Sequence, residues 1–283
     1  MATILDTLKK GTEYLQKYGV EDARLNMEHL IAHVQKVDRM QIYLDFDRPL
    51  SEEALESLRE LTKRRSRGEP LQHLLGTVEF SHLEFATDNR ALIPRPETEE
   101  LAEKLLSKEW PDGVRILDMG CGSGVIGLSL AHHLADKSPE VVLVDVSPDA
   151  LALARENVAA IGLSDERLTF LESDLFSQVS GTFDLIAANL PYIPNAEKTD
   201  LSQEVLRDPA LALYGGEAGT EIMDQLLETC AEYLNDGGLV ALEFGIGQEE
   251  HLQKKAEDQG FEPVLTEADM SGVIRFLFAT KTP

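Results

Sequence analysis

Val114-Arg115-Ile116-Leu117-Asp118-Met119-Gly120-Cys121-Gly122-Ser123-Gly124 is the stretch from which the fold can be read. A short apolar run, Val114–Leu117, meets an aspartate and a glycine-rich turn and then enters the apolar helical segment Val125–Leu134. Strand, tight turn and helix in that order open a βαβ unit. Gly122, Gly124 and Gly127 satisfy the dinucleotide fingerprint, with Asp145 about 20 residues further on for a ribose diol. Asp118 points elsewhere. A carboxylate at the mouth of the loop repels a pyrophosphate and suits a ligand carrying cationic groups. The bland alternatives are a mere strand-to-helix turn for the glycines and a helix-entry residue for Asp145.

Outward from this unit the chain alternates. Apolar runs recur at Val141–Val146, Leu168–Leu171, Phe183–Ala188 and Leu239–Leu242, with helical segments such as Ala150–Ile161 and Glu221–Leu234 between them. That pattern predicts an α/β, doubly wound, mostly parallel sheet covered on both faces. The last runs, Phe261–Leu265 and Arg275–Ala279, are separated by a segment too short and polar for a crossover helix, which predicts an antiparallel pair at the edge.

In such a sheet ligands bind beyond the carboxyl ends of the strands, and three further signals lie there. Asp145 is followed by Ser147-Pro148-Asp149, an N-cap and first-turn proline for the next helix. Asp174 follows the third strand; it either approaches a purine ring or is a plain loop aspartate. The third is Ala187-Ala188-Asn189-Leu190-Pro191-Tyr192-Ile193-Pro194, which stops a buried strand with an amide, a rigid turn and an aromatic ring. S-adenosylmethionine carries both an ammonium and a sulfonium, so it suits the acidic loop, and its ribose diol suits Asp145. With that donor, the 187–194 stretch reads as a methyl-acceptor pocket.

The chemistry behind that reading is orientation. An amide or exocyclic amine is a poor nucleophile because its lone pair is delocalised. Acceptors on its two N–H groups, supplied by Asn189 Oδ1 and a carbonyl of the turn, would aim the lone pair at the methyl group. Tyr192 is expected to pack on the planar acceptor and exclude water. A structural turn is the competing reading, since Asn, Pro and Tyr are ordinary turn residues.

Residues 1 to about 75 differ in character. Ile4, Leu8 and Leu15, then Ala23, Met27, Leu30, Ile31 and Val34, fall at helical spacing. Ser51 is placed to cap a further helix, with Leu50 and Leu55 as a hydrophobic staple. A small helical bundle follows, then a hairpin formed by Thr77–Phe80 and Leu83–Ala86, which alternate around Ser81-His82. Lys63, Arg64, Arg65 and Arg67 form a basic cluster that is either a solvated last turn or a contact for an acidic partner or RNA.

The 283 residues, 43% hydrophobic, bury a proper core, and the formal charge of −25 disfavours a large nucleic-acid footprint. Cys121 and Cys230 show no metal-ligand spacing, so neither a metal site nor a disulfide framework is expected. No signal pattern and no run near the roughly 20 apolar residues of a membrane span occurs, which predicts a cytoplasmic protein without a membrane partner.

Several stretches carry a resemblance. Asn189-Leu190-Pro191-Tyr192 is similar to the Asn-Pro-Pro-Tyr of amino-methyltransferases, and also to the form in ribosomal-RNA adenine dimethyltransferases, so it does not choose the substrate. Glu69-Pro70-Leu71-Gln72-His73-Leu74-Leu75-Gly76, Leu92-Ile93-Pro94-Arg95-Pro96-Glu97-Thr98-Glu99, Asp208–Gly216 and Leu242-Glu243-Phe244-Gly245 closely resemble the release factor glutamine methyltransferase family. The resemblance implies a Rossmann-like class I methyltransferase domain over 93–283, a hairpin linker over 76–92 and a helical substrate-docking domain over 1–75. It implies transfer from S-adenosylmethionine to N5 of the glutamine in the Gly-Gly-Gln motif of peptide chain release factors, without direct nucleic-acid binding. The rival is an adenine-N6 methyltransferase acting on nucleic acid.

By motif match, Gly120, Cys121, Gly122, Ser123, Gly124, Asp145, Asp174, Leu175 and Asn189 bind the cofactor. Asn189, Pro191 and Tyr192 carry catalysis, and they hold the glutamine together with Leu190. Arg95 and Glu97 either line the substrate pocket or pair with each other and with neighbouring helices. Leu190 stands where the family has its first proline, and Leu175 where an aromatic is common.

Overall fold

The computed structural model describes residues 2–199 and 201–282. The chain divides into two compact units, Met1–Thr77 with Ser202–Arg207, and Val78–Leu201 with Asp208–Pro283.

The first unit contains α1 (Ile4–Lys17), α2 (Ala23–Gln35), α3 (Gln41–Leu44), α4 (Glu52–Arg65) and α5 (Leu71–Leu75). Thr3 and Asp6 close a reciprocal capping box at the start of α1. Ser51 Oγ accepts from Ala54 N at 3.1 Å, and Leu50 and Leu55 join the same cluster as Ile4, Leu8, Met27, Leu30 and Ile31. The stripes therefore face one another, as their spacing requires. Much of the basic run at the end of α4 is internally engaged. Arg64 grips Glu69 through two bonds of 2.8 and 2.5 Å, while buried Arg65 donates to Asn26 Oδ1 at 2.6 Å and pairs with Glu204.

In the second unit the hairpin of β1 (Thr77–Phe80) and β2 (Leu83–Ala86) leads to α6 (Pro96–Leu106), β3 (Arg115–Met119), α7 (Val125–His133), β4 (Glu140–Asp145) and α8 (Pro148–Ala160). There follow β5 (Leu168–Glu172), β6 (Phe183–Asn189), the short β7 (Ile193–Pro194) and β8 (Tyr214–Gly216), α9 (Glu221–Thr229) and β9 (Leu234–Glu243). The chain ends in α10 (Glu249–Asp258), β10 (Phe261–Ala268) and β11 (Ile274–Lys281). Seven strands form one sheet in the order β10-β11-β9-β6-β3-β4-β5. The five from β9 to β5 are parallel, and β11 runs antiparallel to both β9 and β10. The crossover from β4 to β5 reverses direction relative to that from β5 to β6, so the carboxyl ends of β3 and β6 flank the switch point, where ligands bind.

Side-chain alternation sends the two faces of this sheet into separate cores. Ile116, Leu185, Ala187 and Ala241 pack on one side, and Leu117, Met119, Ile186, Ala188 and Leu242 on the other. One element differs from its sequence reading. The segment expected to stay helical to Leu234 leaves the α-helix at Thr229, turns through Cys230–Tyr233 and starts β9 at Leu234, because Leu234 pairs in the sheet with Phe183. The hairpin packs into the core of the second unit. Phe80 and Phe85 meet edge-to-face at 6.1 Å inside the same core as Leu101 and Val114.

Buried Asn157 on α8 ties that hairpin to the glycine loop. Its Oδ1 accepts from Ala86 N at 2.7 Å, and its Nδ2 donates to Ala86 O at 3.2 Å and to Ser123 O at 2.9 Å. Asn157→Ala leaves those backbone groups without partners, at about 1–3 kcal/mol for each one that water cannot reach. The expected result is a lower Tm than wild type by thermal denaturation, together with weaker ligand protection of the loop in hydrogen exchange.

Candidate active site

The carboxyl ends of β3, β4, β5 and β6 surround a cavity of about 340 Å³. The floor is the glycine loop. Gly120 N and Cys121 N both donate to Val144 O at 2.8 Å, pinning the loop to β4. Gly120 has φ +70°, and a Cβ there would stand 2.7 Å from Leu190 Cδ2, so the loop and the 189–192 turn pack where only glycine fits. Gly120, Cys121, Gly122 and Ser123 line the cavity. Gly124 does not; it precedes α7 at φ +82°, and a Cβ would stand 2.9 Å from Leu128 Cδ1. Its requirement is helix packing.

Asp118 lies elsewhere than the mouth of the loop. Its carboxylate is buried behind the loop, with Oδ2 accepting from Gly127 N at 2.8 Å, and it is not part of the cavity wall. Burial pushes its pKa up to about 7, against the Gly127 hydrogen bond. The anion that faces the cavity at the next strand is Asp145. Its Oδ2 accepts from Gly122 N and its Oδ1 from Ser147 N, both at 2.8 Å. Burial raises its pKa and those N–H groups counteract the rise. Asp174 and Leu175 complete this wall. Leu175 holds φ +44°, a left-handed conformation costing of order 1–3 kcal/mol for such a residue, secured by Ser173 Oγ donating to Leu175 O at 2.8 Å.

Asn189, Leu190 and Pro191 form the opposite wall. Asn189 pairs in register with Glu243 of the neighbouring parallel strand. Asn189 Nδ2 donates to Thr98 Oγ1 at 2.8 Å, and Thr98 Oγ1 donates in turn to Glu243 Oε2 at 2.7 Å. Tyr192 OH donates to Glu243 Oε1 at 3.5 Å. Burial pushes the Glu243 carboxyl up to about 7, with Thr98, Arg275 and Tyr192 opposing the rise and the charge of Glu97 adding to it. With Nδ2 committed to Thr98, Oδ1 is the branch of the Asn189 amide available to a ligand.

The turn itself is braced from behind. Gln248 Nε2 donates to Tyr192 O at 3.0 Å while Gln248 Oε1 accepts from Gly245 N at 2.9 Å. Ile193 N donates to Leu213 O at 3.0 Å, and β7 pairs with β8, so the 208–216 stretch supports the turn.

Three residues expected in the pocket lie outside its wall. The Tyr192 ring packs, partly buried, against the core of Leu117, Ile186 and Leu242, close to Gly245, with its hydroxyl reaching Glu243. Arg95 donates to buried Asp208 Oδ2 at 2.6 Å, while Asp208 Oδ1 accepts from Ile93 N at 3.2 Å. Glu97 places its charge near Tyr192 and Glu243, raising the pKa of both. Thr98, Glu243 and Asp208, which organise this wall, were not singled out as site residues, although each lies within a stretch that carries the family resemblance. Gln248 had no such signal.

Among the described residues no group of three or more His, Cys, Asp and Glu side chains could hold a metal ion. No helix among them is long and apolar enough to cross a membrane.

The cavity lies in a domain that sequence similarity assigns to the methyltransferases. Residues 97–218 match the methyltransferase small domain and residues 6–76 the PrmC N-terminal domain. The fold is shared with a methyltransferase from Pyrococcus furiosus, at TM-score 0.54 and 20% identity over 71% of this chain and 90% of that one. It is also shared with the 16S rRNA N2 G1207 methyltransferase of Thermus thermophilus, solved with AdoMet and guanosine, at TM-score 0.52 and 20% identity over 72% of this chain and 49% of that one.

Full-length relatives are more specific. A release factor glutamine methyltransferase of Geobacter sulfurreducens is 40% identical over 96% of this chain and 95% of its own. That of Rhodopirellula baltica is 38% identical over 85% and 83%. The chain belongs to the release factor glutamine methyltransferase family.

The buried Asp118 yields a pH prediction. Its folded pKa stands above the unfolded value, so between about pH 4 and 7 the native state holds the extra proton and stability falls as pH rises. Asp118→Asn keeps the acceptor for Gly127 without a charge. The wild-type Tm is expected to decline, relative to this variant, as the buffer is taken from pH 5 to 7.5.

Proposed function

We propose that this enzyme transfers a methyl group from S-adenosylmethionine to N5 of the glutamine in the Gly-Gly-Gln motif of peptide chain release factors. The observation that carries it is the Asn189 amide, fixed through Nδ2 by Thr98 at a cavity whose other wall is the glycine loop and Asp145.

The residues suit the cofactor. Asp145 and Asp174 give the cavity wall an acidic character, which favours a cationic ligand over a pyrophosphate. Gly120–Ser123 would hold the methionine end, Asp145 the ribose diol, and Asp174 and Leu175 the adenine. When bound, S-adenosylmethionine supplies an electrophilic methyl group whose bond to sulfur returns its electron pair to sulfur. Asn189 Oδ1 and the Leu190 carbonyl accept from the two N–H groups of the glutamine amide, turning the nitrogen lone pair towards the donor side of the cavity. Pro191 stiffens that carbonyl, and Leu190 retains it although the family's first proline is missing. Tyr192, Arg95 and Glu97 act from behind the wall, as positioning residues. The nitrogen loses one proton after transfer, when its N–H has become acidic, so no general base is needed earlier.

The helices of residues 1–75 dock the release factor, 76–92 join them to catalysis, and 93–283 carry out the transfer in the cytoplasm. The nucleic-acid alternative finds little support in a chain of charge −25 whose basic run is partly paired with its own acids.

Incubation with labelled S-adenosylmethionine and a purified release factor tests the assignment; label that persists after replacement of the Gly-Gly-Gln glutamine would remove it. Asn189→Ala is expected to lower kcat about 100-fold or more while cofactor affinity, read by calorimetry, stays near wild type. Truncation of residues 1–75 is expected to raise KM for the release factor and leave cofactor affinity unchanged; an unaltered KM would remove the docking role.

A further inference from the structure

Resting on the reading that Asn189 holds the acceptor amide, we infer that Thr98 and Glu243 form a one-way hydrogen-bond relay that sets which end of the Asn189 amide faces the substrate. An asparagine amide has nearly the same shape after its oxygen and nitrogen exchange places, so packing alone does not choose its orientation. The choice matters here. An acceptor amide presents two N–H donors, and of the two ends of Asn189 only Oδ1 can receive one of them; a reversed Asn189 would set donor against donor and push the nucleophile away.

The relay removes that ambiguity. Ionised Glu243 can only accept, and Thr98 has one hydroxyl proton. That proton goes to Glu243 Oε2 at 2.7 Å, which leaves Thr98 Oγ1 as acceptor towards Asn189. Asn189 must answer with a donor, and Nδ2 does so at 2.8 Å. A carboxylate buried beyond the cavity thus turns Oδ1 outward without touching substrate. Tyr192 OH also donates to Glu243, at 3.5 Å on the other oxygen, which leaves the carboxylate as the end of both chains.

Protonated Glu243 would have a donor of its own. Thr98 could then receive that proton, redirect its hydroxyl to Asn189, and favour the reversed amide. The groups around Glu243 are Thr98 and Glu97 from α6, Tyr192 from the turn, and Arg275 from β11, itself paired with Asp269 at 2.9 Å. Burial and Glu97 bring the carboxyl to about 7, so the ionised, correctly directed form gains as pH rises through neutrality.

The test measures kcat and KM against pH for wild type, Asn189→Ala, Thr98→Ser, Thr98→Val and Glu243→Gln, with S-adenosylhomocysteine affinity by calorimetry as the check on folding. Thr98→Ser keeps the hydroxyl and is expected to stay within about threefold of wild type. Thr98→Val is expected to lose roughly 10- to 100-fold in kcat with ligand affinity intact. Wild-type kcat/KM is expected to fall below about pH 7. Glu243→Gln does not titrate and can present either end of its amide to Thr98, so it is expected to lower kcat and to lose that acidic limb. Thr98→Val as active as wild type, or an acidic limb unchanged in Glu243→Gln, would overturn the relay. An active Asn189→Ala would instead overturn the reading of the site on which the relay rests, so the two failures are distinguishable.

Discussion

The pairing of Asn189 with Glu243 across β6 and β9 is the constraint around which this wall of the cavity is arranged. Paired residues of parallel strands point to the same face, so an amide and a carboxylate are forced side by side at the end of a buried sheet. Neither tolerates burial without partners. Directly beneath them lie Ala187 and Ala241, small enough for the α6 layer to pack over this face, and α6 delivers Thr98 between the two polar groups. The second carboxylate oxygen lies 3.5 Å from the Tyr192 hydroxyl, at the end of the turn. Gln248 and the 208–216 stretch then secure the outer side of that turn through its backbone. One strand register thus dictates a helix position, a turn and a loop.

What could be read from the chain in advance was what is local. A strand run, a glycine turn and a following helix are contiguous, so β3 and α7 are legible in one line of sequence, as is the antiparallel end, where the connecting segment leaves no room for a crossover. The Ser51 cap and its staple are equally local. Asp118 was misplaced although the information was present: Ile116 faces the α6–α7 core, so Asp118, two residues on, must face it too, away from the strand-end cavity. The helix expected to run to Leu234 failed for a different reason, since its periodicity continues while a distant strand claims Leu234.

Thr98 and Glu243 belong to a third kind. They stand 145 residues apart and meet through the packing of α6 on the sheet. No spacing rule links them, and each alone resembles an ordinary helix-start threonine or strand-end glutamate. Resemblance could mark their stretches without giving them roles. Tyr192 shows the converse, for its ring was expected on the substrate and is instead directed to Glu243, behind the wall. In both cases the deciding fact is the direction of a side chain relative to a sheet that the local sequence does not describe.

Methylating a carboxamide asks little of proton transfer and much of direction. The amide proton is too weakly acidic for a side-chain base to remove in advance, and the lone pair is held in resonance, so a site gains by fixing the nitrogen where that pair can be used. Fixing it with a neutral amide such as Asn189 avoids a charge that would compete for the cationic ligand an acidic cavity favours. The difficulty is that a neutral amide is ambiguous in orientation, and a charge is the simplest means of resolving it. Glu243 reconciles the two demands by distance. Separated from the cavity by one hydroxyl, its ionised carboxylate fixes the hydrogen-bond direction while Thr98 and Asn189 keep it from contact with the reacting groups. A carboxylate lining the cavity could not do both.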